Sequence, residues 1–73
     1  MEELTFGKLI EKLRREKKGW TIKKLASQAK MSDVEISNIE NDKHSPRLST
    51  IRNLAIALDY DYEKLYNASK NKK

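Results

Sequence analysis

Between positions 32 and 38 the chain carries Ser32, Asp33, Val34, Ser37 and Asn38, a run of hydrogen-bonding side chains with one small apolar member. Such a set can donate, accept and offer a methyl surface to another molecule's edge. It does not make a catalyst. Cysteine is absent and His44 is the single histidine, so no disulfide, thiolate metal site or cysteine nucleophile is available, and one histidine cannot build a zinc site. No glycine-rich phosphate loop and no nucleophile–base pair is recognisable. The expectation is a binding protein, not an enzyme, with no cofactor and no metal.

Charge says what it would bind. Lysine and arginine number 16 against 11 acids, a net +5 in 73 residues. A small basic domain is suited to a polyanion. The charge is unevenly spread. Residues 14–30 hold seven basic side chains and one acid, whereas residues 31–42 hold four acids and no base. No apolar run approaches the length of a membrane span, which fits a cytoplasmic protein without a membrane partner.

The elements that position these residues are helical. Apolar residues recur at helical spacing and no strand-like alternation persists. Phe6, Leu9, Ile10 and Leu13 predict a first helix over residues 5–17, closed by Gly19. Thr21 is a good N-cap for a second helix, Ile22–Ala29, that buries Leu25, Ala26 and Ala29. Ser32 and Glu35 form a capping box at the start of a third, with Ile36 and Ile39 inward. A polar loop to Pro46 follows. A fourth helix is expected over residues 49–58, burying Ile51, Leu54, Ala55 and Leu58. Asp61 caps a fifth over 62–68 carrying Leu65. The fold class is all-α: a compact five-helix bundle over residues 1–68 with a polar C-terminal tail, 69–73.

Within it, two helices of about eight residues joined by a turn of three or four make a helix-turn-helix. Ala26 is small where the two helices cross, Ala29 and Met31 fill the angle, and Ile36 and Ile39 plug the third helix onto the second. Over residues 6–65 the chain resembles the Cro and phage-repressor (XRE, Cro/C1-type) helix-turn-helix domains. The resemblance is carried by Ile10 and Arg14; by Trp20-Thr21 with Leu25-Ala26; by Ile36-Ser37-Asn38-Ile39-Glu40-Asn41; and by Pro46, Leu48, Ile51, Leu54-Ala55 and Leu58. There are departures. The stretch between Arg14 and Leu25 is one residue longer than the family's. Ile22 replaces a common glutamine, and Lys30, Asp42 and Asp59 stand where glycine is usual.

The resemblance implies a repressor-like regulator of transcription, bacterial or phage-encoded, that binds double-stranded DNA as a homodimer. The third helix, residues 32–41, would enter the major groove. Base readers would be Ser32, Asp33, Val34, Ser37 and Asn38: Asn38 for adenine, Val34 for a thymine methyl, Asp33 for cytosine. Asp33 and Glu35 also suit a helix N-terminus without touching a base. Phosphate contacts would come from Arg14, Thr21, Lys23, Lys30, Asn41, Lys43 and Arg47. Arg14 and Glu40 would form an internal ion pair. Leu65 and Tyr66 on the fifth helix are equally core rim or dimer surface. The acids of the third helix keep a second reading open: a module that binds a regulatory protein partner such as a toxin.

Overall fold

The computed structural model describes residues 4–70. They form five α-helices and one π-helical turn. The helices are α1 (Phe6–Lys12), α2 (Ile22–Ala29), α3 (Asp33–Glu40), α4 (Leu48–Leu58) and α5 (Tyr62–Lys70). The π turn, Leu13–Lys17, continues directly from α1.

Each start has a local cause. Thr5 caps α1, its hydroxyl accepting from the Lys8 N–H at 3.1 Å, and Thr21 caps α2 in the same way from Lys24. At α3 the capping box is complete: Ser32 Oγ accepts from the Glu35 N–H at 3.1 Å, and Glu35 Oε1 accepts from the Ser32 N–H at 2.9 Å. Asp61 accepts from the Glu63 N–H at the head of α5. The ends share one device. After α2, α3 and α4, a non-glycine residue takes a left-handed conformation: Lys30 (φ 60°), Asp42 (φ 57°) and Asp59 (φ 55°). Each is followed by a residue whose N–H bonds back into the last turn, Met31 to Ala26, Lys43 to Asn38 and Tyr60 to Ala55, all at 2.9 Å. These are Schellman closures, for which glycine is the usual choice.

Two expectations change. The first helix does not run regularly to residue 17. Beyond Lys12 it widens into the π turn, where the Lys18 N–H reaches the Leu13 carbonyl (3.1 Å) and the Trp20 N–H reaches that of Arg14 (2.9 Å). A π turn closes a larger ring than an α turn, and here it leads into the left-handed Gly19 (φ 66°). The tail also starts later than expected: Ser69 and Lys70 remain helical, Ser69 Oγ donating to the Tyr66 carbonyl. Residues 71–73 lie outside the described residues.

Every helix places at least one side chain in a common core. Ile10, Leu25, Ile36, Ile51, Leu54, Leu58 and Leu65 are fully buried, each stabilising the fold by about 1.5–3 kcal/mol. Leu9 lies half-buried beside this core. Leu65, expected at a dimer surface, is 0% exposed. It is the one buried side chain of α5 and holds that helix to the bundle, so it has no area to offer a second subunit.

A clasp joins α1 to the end of α3. Asp42 accepts from the Gly7 N–H at 2.9 Å and from the Thr5 hydroxyl at 2.7 Å. The approach is so close that a Cβ on Gly7 would be driven into the Ile39 carbonyl oxygen and would lie 2.7 Å from the Glu40 carbonyl oxygen.

Gly7→Ala should therefore destabilise the domain by about 1–3 kcal/mol through overpacking, although alanine is the better helix former by about 1 kcal/mol. Unfolding in urea reads the sign, and a more stable variant would contradict the clasp. The left-handed caps should respond in opposite directions. Lys30→Gly relieves about 1 kcal/mol of backbone strain and loses no internal bond, so its melting temperature should rise. Asp42→Gly relieves similar strain but removes a carboxylate whose hydrogen bonds are each worth about 1.5–3 kcal/mol, so its melting temperature should fall. Two shifts of the same sign would refute this assignment.

Candidate nucleic-acid interface

α3 is buried along Ile36, Ile39 and Glu40 and turns its other side outward. Ser32, Asp33, Val34 and Glu35 are exposed there, and Ser37 and Asn38 are half-exposed. Val34 stands out at 67% exposed. Asn38 makes no side-chain hydrogen bond among the described residues, so its carboxamide is free to pair with an outside edge. It lines an open groove between α3 and the head of α4, together with Lys30, His44, Arg47 and Asn53. The fold thus gathers Lys30 and Arg47, 17 positions apart in the chain, around Asn38. His44 and Asn53 were not expected at the site. Their only signal in the sequence is that they flank Pro46 and the first turns of α4.

The acids near α3 are held locally. Asp33 lies 3.7 Å from Lys23 across the turn, an exposed pair of small energetic value that nonetheless places a cation beside the anion. Glu35 is occupied by the capping box. Their charges favour the positive end of α3 and each has a basic or N–H neighbour, which lowers the repulsion an approaching phosphate would meet.

The expected phosphate contacts divide. Thr21, Lys23, Lys30, Lys43 and Arg47 are all exposed; Lys23 lies beside Asp33 of α3, and Lys30 and Arg47 line the groove with Asn38. Asn41 is exposed too, and its amide donates back to the Ser37 carbonyl at 3.0 Å. Arg14 belongs elsewhere. Its side chain is 11% exposed, and its guanidinium donates through Nε to Glu40 Oε2 (2.7 Å), through Nη2 to Glu40 Oε1 (3.1 Å) and through Nη1 to the Trp20 carbonyl (2.9 Å). A guanidinium with three internal bonds is a strut between α3 and the turn before α2, and this replaces the expected phosphate contact. Its carboxylate partner is equally enclosed, at 6% exposed. No buried side-chain polar atom among the described residues is left unpaired.

On the α5 side, Tyr62 and Tyr66 stack with ring centroids 6.1 Å apart. Tyr62 is 37% exposed and Leu48 nearby on α4 is 57% exposed; Leu48 and Tyr66 line one shallow depression.

A helix-turn-helix family model matches residues 10–65. The chain is also 40% identical over 65 residues to RghRB of Bacillus subtilis (strain 168), an uncharacterized HTH-type transcriptional regulator. That alignment covers 88% of this chain and 46% of the relative, so the chain spans less than half of the relative's length.

The Arg14–Glu40 geometry generates a stability prediction. Removing one partner of a buried ion pair strands the other charge, at a cost of about 3–5 kcal/mol. Glu40→Ala and Arg14→Ala should each come close to unfolding the domain. The double variant Arg14→Ala/Glu40→Ala should lose less than the sum of the two, by about 1–3 kcal/mol. A coupling near zero in a double-mutant cycle would show that the two charges act independently.

Proposed function

Because the chain belongs to the helix-turn-helix family, we propose that it is a sequence-specific, repressor-like regulator of transcription that lays α3 in the major groove of a duplex operator. The observation that carries this reading is the outward face of α3. Val34, two-thirds exposed, has no partner within the fold, and a thymine methyl would give it one. Next to it Asn38 presents a free carboxamide with the geometry to pair bidentately with adenine, and Ser37 a hydroxyl. Ser32 retains a hydroxyl proton to donate, and Asp33 can accept from cytosine N4. Thr21, Lys23, Lys30, Asn41, Lys43 and Arg47 would hold the sugar-phosphate backbone and set the register. The relative's description as an HTH-type transcriptional regulator supports the same assignment. This activity is binding alone and requires neither cofactor nor catalysis.

One recognition helix spans only a few base pairs. We assign the working form as a homodimer on an inverted repeat, with half-sites about 34 Å apart. The stacked Tyr62 and Tyr66 with Leu48 supply the subunit contact in this reading, in place of Leu65. The protein-partner reading loses its main support, because the acids of α3 are engaged by Lys23 and by the capping box.

Asn38→Ala should lose about 1–3 kcal/mol of affinity on the cognate operator and little on random duplex. Lys43→Ala should weaken both about equally and flatten the salt dependence by about 0.9 in log K against log salt. Mobility-shift titrations on the chain's own upstream DNA and on scrambled duplex separate the two effects. Equal loss on both duplexes for Asn38→Ala, or a salt-independent affinity, would sink the assignment. Tyr62→Asp, at the exposed ring of the pair, should abolish cooperative filling of two half-sites while the folded monomer persists.

A further inference from the structure

Outside the surface so far described, two lysines converge on one aromatic ring. Lys18 Nζ lies 5.2 Å and Lys24 Nζ 5.9 Å from the centroid of the Trp20 indole, both within cation–π range. Among the described residues neither lysine has a carboxylate within ion-pair distance, whereas Lys8, Arg15 and Lys23 each do. Trp20 is half-buried against the core, and its main chain is held at both ends, the backbone N–H donating to the Arg14 carbonyl at 2.9 Å and the backbone carbonyl accepting from Arg14 Nη1 at 2.9 Å. Two ammonium groups are thus gathered at one half-buried indole, with no carboxylate among the described residues within ion-pair distance of either. Together they offer positive charge and free donors to an external anion.

The position says which anion. Trp20 directly precedes Thr21, the cap of α2, and three residues further on Lys23 reaches Asp33 in the first turn of α3. The cluster therefore borders the N-terminal end of the α3 face.

We propose that Lys18 and Lys24 form a second phosphodiester contact on duplex DNA, flanking the bases under α3, with Trp20 as the residue that positions both. This rests on the DNA-binding reading and extends its footprint by two phosphates that carry no sequence information. A lysine resting on a ring keeps donors for an outside oxygen, and holding it there beforehand lowers the side-chain entropy lost on binding.

The test uses a mixed-sequence duplex of about two helical turns, labelled for anisotropy and titrated over a range of potassium chloride. Lys18→Ala/Lys24→Ala should lower the salt slope by about 1.8, close to 0.9 for each lost phosphate contact. The charge-matched control Lys8→Ala/Arg15→Ala, whose cations both pair with Glu11, should leave the slope unchanged. Trp20→Leu should bind several-fold more weakly than wild type while still melting cooperatively, and Trp20→Phe, which keeps a π-face, should bind nearly as wild type does. A wild-type chain that fails to bind duplex at any salt overturns both this proposal and the function above. Steep wild-type binding with an unchanged slope in the lysine double variant, or an equal loss in the charge-matched control, overturns this proposal alone.

Discussion

Arg14 stands at the point where three parts of the chain meet. Its guanidinium holds Glu40 at the end of α3 and the Trp20 carbonyl ahead of α2, and its own carbonyl takes the Trp20 N–H. The π turn brings this about, since it places Leu13 and Arg14 both in the interior. A buried ion pair adds little net stability over a well-packed apolar pair. What Arg14 supplies is direction. The guanidinium is planar and its forked bonds fix angle as well as distance, so the pitch of α3 relative to the entry of α2 is set by covalent geometry and three hydrogen bonds.

The same economy governs the outward face of α3. The N-terminus of α3 carries the positive end of the helix dipole, and acids occupy it. Each has a neighbour within the protein, Asp33 with Lys23 and Glu35 with the Ser32 N–H. Glu35 thereby serves folding. Val34, Ser37 and Asn38, which do nothing for the core, are left available to a partner.

Much of this was legible in the residues. The limits of α2 and the head of α3 follow from Thr21 and from the Ser32–Glu35 box, because capping is local chemistry with local signals. The left-handed sites at Lys30, Asp42 and Asp59 showed as departures from expected glycines. What stayed hidden was non-local or a matter of register. A π turn has the composition of an α-helix, so nothing in Leu13–Lys17 marked it. The Gly7–Asp42 clasp joins residues 35 positions apart, and no periodicity reports such a pair. Leu65 was divided between core and surface because its neighbours Tyr62 and Tyr66 blur the apolar stripe. Packing decides the matter, since Leu65 is the one fully buried side chain of α5. The Trp20 cluster was missed because lysines read singly are surface residues, and only the fold brings Lys18 and Lys24 to one ring.

The clasp at Asp42 also bears on the order of events in time. α2 and α3 adjoin in sequence, with only a short turn between them. By contrast, α1 is fastened to α3 by bonds that close loops of 35 and 26 residues. Chain closure over such spans must be met before these bonds give anything back. The α2–α3 pair is then the early structure and the docking of α1 a late event. Opening of the folded domain follows burial instead. α1 buries Phe6 and Ile10 and is held by the clasp, whereas α5 has Leu65 as its one buried side chain. Amide exchange would accordingly be graded, fastest in the last helix and slowest where α3 meets α2.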